Sequence, residues 1–239
     1  MRTNIVIPMS GRGSRFSNVG YTVPKPLIEK NGKPLIRHAV ETLDISGRYI
    51  FIVQKEHREK YDLDHILYNI KRDSLIIETD VITEGPACSA LLAKDYIDNN
   101  EELIIANCDQ IMQWNGLLFM DVARNYDGCV VTYHNSNTKN SFAKINKYGL
   151  VTDIQEKKAI SEIALVGIHY WKNGKYFVDS AKKMIANNDR CNNEFYVGST
   201  YNYMIKDNLQ VGIYHVPNQQ YIPVGTPEDF ETYLKVMDK

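Results

Sequence analysis

The chain begins with a short apolar strand that leads directly into a glycine-rich turn. The strand is predicted over residues 4–8, and Ser10-Gly11-Arg12-Gly13-Ser14-Arg15 follows it. Gly11 and Gly13 allow a backbone with positive φ and a close approach to a ligand. The N–H groups of such a turn can point at phosphate oxygens. The opening therefore indicates either a phosphate cradle or an ordinary strand-to-helix connection.

Two basic side chains accompany this turn. Arg15 lies within it, and Lys25 follows a short distance later in Pro24-Lys25-Pro26-Leu27. The guanidinium fork of arginine suits two phosphate oxygens at once, and lysine supplies a compact positive charge. The turn lacks the third glycine of the dinucleotide-binding fingerprint and the Gly-Lys-Ser/Thr of a P-loop, so neither of those motifs describes it.

Strands and helices alternate along the first half of the chain. Apolar runs predict strands over residues 4–8, 49–53, 74–78 and 103–106, and helical spacing predicts helices over 34–44, 56–71 and 86–98. This alternation is typical of an α/β fold with a doubly wound, mostly parallel sheet. Ligands bind such sheets at the carboxyl ends of the strands. The glycine-rich turn and Asp109 are both expected at that edge.

The second half has more strands and fewer crossover helices. Strands are predicted over residues 129–133, 143–145, 151–154, 164–171 and 211–216, and helices over 175–187, 195–206 and 227–236. Thr226 is expected to cap the last helix. This pattern predicts a small antiparallel extension of the sheet. No repeat or linker divides the sequence, so one domain over residues 1–239 is expected.

Composition excludes several function classes. The net charge of −1 gives no global basic field for nucleic acid or a membrane surface. The 4 cysteines have no C-x-x-C spacing, which argues against a zinc site or a disulfide framework. No signal peptide is expected before the first strand, and no apolar run is long enough to span a bilayer. The expected compartment is the cytoplasm.

The glycine-rich turn and Pro-Lys-Pro-Leu together indicate a protein family more specifically than either motif does alone. Residues 10–27 resemble the signature of the sugar-phosphate nucleotidyltransferases, or NDP-sugar pyrophosphorylases: Gly-x-Gly-x-Arg, a spacer and Pro-Lys-x-Leu. The resemblance extends over about residues 4–236 and is closest to the short, single-domain members. It implies a Rossmann-like nucleotidyltransferase fold with a nucleotide-binding half over about residues 1–125 and an acceptor-binding half over about 126–239.

Asp109 is the carboxylate best placed for a metal ion. It follows the predicted strand 103–106, where a hard oxygen ligand would hold Mg²⁺ against a nucleotide, although the position also suits a turn or a helix cap. The resemblance implies a metal-binding aspartate here. Many family members carry a second one where this chain has Pro223. Mg²⁺ is therefore expected on Asp109, completed by phosphates and water or by a carboxylate such as Glu228 or Asp229.

A second turn, Thr83-Glu84-Gly85-Pro86-Ala87, follows a predicted strand and opens a helix. Its backbone could read the edge of a base, or it could serve only as a capping turn. The resemblance implies contact with the nucleobase. The nucleotide-binding set implied in this way comprises Ser10, Gly11, Gly13, Ser14, Gln54, Thr83, Gly85, Pro86, Ala87 and Asn107.

The charged run Glu156-Lys157-Lys158 follows a predicted strand and by itself is typical of a solvated turn. The resemblance implies that its glutamate binds sugar hydroxyls and that Lys157 binds the acceptor phosphate. It also implies a glycine under the acceptor and a segment that closes the acceptor pocket. The acceptor-binding residues implied in this way are Glu156, Lys157, Gly167, Asn193, Glu194 and Tyr196.

The reaction implied by the resemblance is transfer of a nucleoside monophosphate from an NTP to a sugar 1-phosphate, in the service of cell-surface polysaccharide synthesis. Arg15 and Lys25 are the expected catalytic residues. The partners are then an NTP and a phosphorylated sugar or related small molecule, and a homo-oligomer is left open. A metal-dependent glycosyltransferase is an alternative, although its usual D-x-D is here Asn107-Cys108-Asp109. A non-catalytic nucleotide-binding homologue is another, in view of Pro223.

Overall fold

The computed structural model describes residues 2–236. The strands of this part of the chain are β1 (Thr3–Pro8), β2 (Glu29–Lys30), β3 (Lys33–Pro34), β4 (Arg48–Gln54), β5 (Leu75–Thr79), β6 (Glu102–Ala106), β7 (Gln110–Met112), β8 (Gly128–His134), β9 (Ser141–Ile145), β10 (Val151–Glu156), β11 (Ile163–Trp171), β12 (Val211–His215) and β13 (Tyr221–Pro223). The helices are α1 (Ser14–Ser17), α2 (Leu35–Leu43), α3 (Lys55–Lys60), α4 (Leu63–Ile70), α5 (Pro86–Leu91), α6 (Lys94–Ile97), α7 (Gly116–Ala123), α8 (Gly174–Ala186), α9 (Thr200–Lys206) and α10 (Pro227–Val236). None of the helices in residues 2–236 is long and apolar enough to cross a bilayer.

A nine-stranded mixed sheet forms the centre of the molecule. Its parallel part has the order β6-β1-β4-β5, and Val6 of β1 pairs with Ile50 on one side and Ile105 on the other. β11 runs antiparallel to β6 and begins an antiparallel part with β8, β9 and β10, while β12 lies parallel to β8. The predicted α/β fold, doubly wound and mixed, with an antiparallel extension, is confirmed.

Both faces of the sheet are covered at its centre, which is why β1, β4 and β6 are buried along nearly their whole length. Side chains alternate between faces along a strand, so Ile5 and Ile7 of β1 join one core cluster while Val6 joins the other. A third, smaller cluster packs Phe16 of α1 against Phe230 of α10. This cluster holds the glycine-rich turn against the last helix of the described chain.

Three predicted helices differ from the structure. The helix expected over 56–71 is divided into α3 and α4 because Asp62 adopts a left-handed backbone with φ 49°. The helix expected over 86–98 is divided into α5 and α6 by a turn after Leu91. The helix expected over 195–206 begins only at Thr200, because Phe195 pairs with another segment instead.

The sequence analysis missed α7 and predicted the cap of α10. Asn115 caps α7 by accepting hydrogen bonds from the N–H groups of Leu117 and Leu118, a signal that was present in the sequence. Thr226 caps α10 as expected, and it does so within a capping box. The N–H of Asp229 donates to Thr226 Oγ1 at 3.2 Å, and the N–H of Thr226 donates to Asp229 Oδ2 at 3.1 Å.

Glu102 anchors the start of β6 through a buried carboxylate. Its side chain accepts two hydrogen bonds from the Arg124 guanidinium, at 2.8 and 3.0 Å, and others from Thr3 Oγ1 and the Tyr170 hydroxyl. Burial alone would raise the pKa of Glu102, but Arg124 and these donors outweigh it, so the pKa lies below its ordinary value of 4.5. The carboxylate therefore ties β1, α7 and β11 to β6.

We expect Glu102→Gln to lower the free energy of unfolding at pH 7 by about 2 kcal/mol, because it removes a charged acceptor from Arg124. Since the folded pKa is depressed, the wild-type contribution is present above pH 4.5 and is lost as pH falls through the folded pKa. Between pH 7 and pH 4, the free energy of unfolding should fall less in Glu102→Gln than in the wild type. Urea unfolding at pH 7 and pH 4 measures this, with Glu231→Gln on the exposed face of α10 as the control. Equal losses of unfolding free energy in Glu102→Gln and Glu231→Gln would contradict the conclusion that the Glu102 carboxylate stabilises the fold.

Candidate functional site

The glycine-rich turn lies at the carboxyl end of β1, as the sequence predicted. Gly13 has a left-handed backbone with φ 62° and stands directly before α1. Gln54, at the end of the neighbouring β4, donates from Nε2 to the Ser10 carbonyl at 2.7 Å. Gln54 thus holds the backbone of the glycine-rich turn at Ser10, and its contact with a nucleotide stays a prediction.

Lys25 and Asp109 form an ion pair between the glycine-rich turn and the end of β6. The distance from Lys25 Nζ to Asp109 Oδ2 is 2.5 Å. Lys25 opens a short 3₁₀ turn after Pro24, and Asp109 follows β6 and precedes β7. The Asp109 carbonyl also accepts the N–H of Val224 at 3.0 Å. Three distant parts of the sequence therefore meet at this pair.

Both members of the pair are charged at neutral pH. Burial alone would raise the pKa of Asp109, but the Lys25 ammonium and, to a smaller extent, Arg15 hold that pKa below its ordinary range. Burial likewise disfavours the charged form of Lys25, yet Asp109 raises the pKa of that ammonium above its ordinary value. Asp109 is therefore an ionised carboxylate with a fixed counter-charge beside it.

Residues 83–87 lie beside the glycine-rich turn and are named here the nucleotide turn, after the nucleobase contact that the sequence resemblance implies for them. Thr83 Oγ1 lies 2.6 Å from Ser89 Oγ, and Ser10 Oγ donates to the same Ser89 oxygen at 3.5 Å. Gly85 has φ 118°, and the Ala87 N–H donates to the Phe195 carbonyl at 3.0 Å. Because its amide is already bonded and its side chain is buried, Ala87 is not free to contact a base.

On the other side of the ion pair, β10 ends in a buried carboxylate. Glu156 accepts a hydrogen bond from Ser141 Oγ, and burial raises its pKa. Lys157 follows in a left-handed backbone with φ 57°, donates to the Lys139 carbonyl, and lies 5.6 Å from the centre of the Tyr196 ring. A lysine held in this backbone conformation is a strained arrangement typical of a binding site.

Gly167 of β11 allows Asn107 to lie against the strand. A Cβ at position 167, where φ is 96°, would fall 2.2 Å from Asn107 Nδ2. The Asn107 N–H also donates to the Gly167 carbonyl at 3.0 Å. Only glycine fits here, and Asn107 and Gly167 together form part of the cavity floor.

These segments enclose a cleft with two lobes. The larger lobe has a volume of about 1120 Å³ and the smaller, over the glycine-rich turn, about 590 Å³. Arg15, Asp109, Lys157 and Tyr196 line both lobes. The predicted site residues that line one lobe or both are Ser10, Gly11, Gly13, Ser14, Arg15, Lys25, Thr83, Gly85, Pro86, Asn107, Asp109, Glu156, Lys157, Gly167, Glu194 and Tyr196.

Three predicted site residues lie outside this lining: Gln54, Ala87 and Asn193. The neighbour of the last, Asn192, lines the larger lobe instead. Both asparagines have positive φ and form a tight turn in which Cys191 and Glu194 exchange backbone hydrogen bonds of 2.9 and 3.0 Å. An Asn-Asn pair favours such a turn, but the sequence does not show which of the two side chains faces the cavity.

Asp109 is the carboxylate at the centre of the cleft that could hold Mg²⁺. Within residues 2–236 no group of three or more His, Cys, Asp or Glu side chains could hold a metal ion. Pro223 stands opposite Gln110 in the β13–β7 ladder, and Asp229 is engaged in the capping box. Mg²⁺ commonly binds proteins through one or two carboxylates and takes its remaining ligands from substrate phosphates and water. Asp109 fits that requirement.

We expect Lys25→Met to raise the pKa of Asp109 from below 3.8 to above it, because burial then acts without the neighbouring ammonium. Carbon-13 NMR titration of the aspartate carboxyl groups measures the change. The control is Arg37→Met, which removes a cation from a surface ion pair on α2. An Asp109 pKa that stayed depressed in Lys25→Met would show that another group holds the charge.

Comparison with known proteins agrees with this geometry. The bifunctional protein GlmU of Methanococcus vannielii is 29% identical over 125 residues, covering 52% of this chain and 28% of GlmU. The mannose-1-phosphate guanyltransferase of Schizosaccharomyces pombe is 27% identical over 169 residues, covering 66% of this chain and 43% of that protein. This chain therefore matches less than half the length of either relative.

A solved structure shares the fold over nearly the whole chain. The nucleoside-diphosphate-sugar pyrophosphorylase from Vibrio cholerae superposes with a TM-score of 0.87 at 24% identity, over 97% of this chain and 99% of that one. The sequence profile described as nucleotidyl transferase matches residues 5–236. Because the matched region holds both lobes of the cleft and the ion pair between them, this chain belongs to the nucleotidyl transferase family.

Proposed function

We propose that this protein transfers a nucleoside monophosphate from an NTP to a sugar 1-phosphate or a similar phosphorylated acceptor, with release of pyrophosphate. The observation that carries the proposal is the two-lobed cleft with the Lys25–Asp109 pair at its centre. One lobe has a glycine-rich turn suited to a triphosphate, and the other has a lysine and a buried carboxylate suited to a sugar phosphate. Two phosphorylated substrates can therefore meet beside one ionised carboxylate.

The chain's own residues supply positioning and charge neutralisation, which are the main requirements of this chemistry. Backbone N–H groups of the glycine-rich turn bind the triphosphate. Arg15 stabilises the departing pyrophosphate, and Lys25 neutralises the α-phosphate. No general base is needed, since the attacking oxygen belongs to an acceptor phosphate that is already anionic near neutral pH.

The acceptor lobe favours a polyhydroxylated ligand. Its lining is rich in neutral amides from the loop before β9, including Asn135, Asn137 and Asn140. Amides of this kind donate to and accept from hydroxyl groups. Lys157 binds the acceptor phosphate and Glu156 binds its hydroxyls.

Mg²⁺ fits this site as an ion shared between the protein and the nucleotide. Asp109 would be its protein ligand, and the triphosphate oxygens and water would complete the coordination. The ion would neutralise and orient the triphosphate. Such an ion binds with the nucleotide and weakly without it, because one carboxylate beside an ammonium attracts a divalent cation poorly.

The product of this reaction would be an NDP-sugar for cell-surface polysaccharide synthesis in the cytoplasm. The polar lining of the cleft suits small phosphorylated substrates, and the net charge of −1 argues against nucleic acid as a partner. A homo-oligomer is a separate question, which is tested by measuring the oligomeric state of the samples used for the activity assay.

The direct test is pyrophosphate release with Mg²⁺, each of ATP, GTP, CTP, UTP and dTTP, and a panel of phosphorylated acceptors. A signal that requires one NTP and one acceptor together would support the proposal. Sugar transfer from an NDP-sugar without pyrophosphate release would favour a glycosyltransferase instead. Tight NTP binding with no turnover on any acceptor would favour a non-catalytic homologue.

We expect Arg15→Ala and Lys25→Ala each to lower kcat on the order of 10²–10³-fold, because each removes a charge that stabilises the transferring phosphates. Steady-state kinetics measures the loss, and circular dichroism checks that the fold is intact. Lys55→Ala, at the start of α3, removes an exposed cation away from the cleft and should retain wild-type kcat. Full activity in either site variant would remove the basis of the mechanism.

We expect Pro223→Asp to reduce the half-saturating Mg²⁺ concentration several-fold in calorimetric titrations with bound NTP. The main chain beside position 223 is fixed to Asp109 through the Val224 N–H. A second carboxylate at this edge would therefore add a ligand to the same ion. The control is Pro217→Asp, at an exposed position between β12 and β13. Equal Mg²⁺ dependence in both variants would place the ion elsewhere.

A further inference from the structure

The nucleotide turn and residues 188–196, named here the acceptor segment, are joined through their backbones. The Phe195 N–H donates to the Glu84 carbonyl at 2.8 Å, and the Ala87 N–H donates to the Phe195 carbonyl at 3.0 Å. The approach is so close that a Cβ on Gly85 would lie 2.6 Å from the Phe195 nitrogen. The two segments are distant in sequence, and residues of both line each lobe of the cleft.

A single arginine reinforces this junction with its side chain. Arg190 Nη1 lies 3.0 Å from Glu84 Oε1, and Arg190 Nε donates to Asn188 Oδ1 at 2.6 Å. The same guanidinium lies 4.3 Å from the centre of the buried Phe195 ring. Arg190 thus forms an ion pair with Glu84 of the nucleotide turn. It also packs on Phe195, whose backbone is hydrogen-bonded to that turn.

The acceptor segment continues from this junction into the acceptor lobe. Tyr196 follows Phe195 directly, and its hydroxyl donates to Glu194 Oε2 at 2.7 Å. Its ring lies 5.6 Å from Lys157 Nζ, the cation assigned to the acceptor phosphate. The backbone junction at Phe195 is therefore directly followed by the residue whose ring lies near Lys157.

We propose that Glu84 and Arg190 are a positioning pair that couples the two substrate sites, so that nucleotide bound at the nucleotide turn raises the affinity for the acceptor. The inference rests on the proposed function, because it requires two substrates in one cleft. Neither side chain contacts reacting atoms. Their side chains are 60% and 28% exposed, so the pair contributes little to global stability. Its effect lies in the relative position of the two segments, and by linkage the coupling acts equally in both directions.

The first experiment measures acceptor KM at saturating NTP in Arg190→Gln and Glu84→Gln. We expect KM to rise about five-fold, in the range of ordinary site-to-site coupling, with kcat at saturation and thermal stability nearly unchanged. Arg37→Gln is the matched control, since Arg37 is also 28% exposed and also pairs with a glutamate. The double variant Glu84→Arg/Arg190→Glu should restore part of the affinity. An unchanged acceptor KM in Arg190→Gln would overturn the proposal. So would a double variant whose acceptor affinity is no better than the summed effects of Glu84→Arg and Arg190→Glu, each measured alone.

The second experiment requires nucleotide alone and no turnover. Hydrogen exchange is followed by mass spectrometry with the NTP that binds in the pyrophosphate assay and with Mg²⁺. In the wild type, we expect protection of both the nucleotide turn and the acceptor segment. In Arg190→Gln, protection should persist at the nucleotide turn and fall in the acceptor segment. Wild-type protection confined to the nucleotide turn would overturn the coupling alone, whereas no protection by any of the five NTPs would overturn the proposed function as well.

Discussion

The ion pair between Lys25 and Asp109 is the interaction on which the site depends. It joins the segment after the glycine-rich turn to the end of β6, and the Asp109 main chain in turn holds the strand that leads to α10. Burial by itself would raise the pKa of this carboxylate and lower the pKa of this ammonium. Each group shifts the pKa of the other in the opposite direction, toward the charged form. The cleft therefore has a fixed positive and a fixed negative centre side by side before any substrate arrives.

The mixed sheet explains why two lobes share that centre. The parallel part ends its strands at one edge, where the glycine-rich turn, Gln54 and Asp109 lie together. The antiparallel part starts at β11, which pairs with β6 and so places Gly167 beside Asn107. The part of the sheet that carries the glycine-rich turn and the part that carries Gly167 are thus neighbours in one continuous sheet. The hydrogen bonds between β6 and β11 join them.

Local signals in the sequence were sufficient for most of the fold and for the charged residues of the site. Apolar runs predicted the nine strands of the central sheet, but not the short strands β2, β3, β7 and β13. The motif around Arg15 and Lys25 predicted two side chains that line the cleft. One failure was local, since Asn115 is a capping signal that was missed. Another depends on distant segments, because Phe195 leaves its predicted helix to pair with Glu84 and also takes the Ala87 N–H. No periodicity within a short window records such partners.

The small core cluster around Phe16 has a consequence for the order in which the molecule can be completed. Phe16 packs against Phe230, and the buried ammonium of Lys30 donates to the carbonyl of Tyr233 at 2.8 Å. The glycine-rich turn therefore obtains its final support from α10, which lies far from it in the sequence. Contacts of such long sequence separation form slowly. During folding, the central sheet can therefore form before the turn at its edge is held in place.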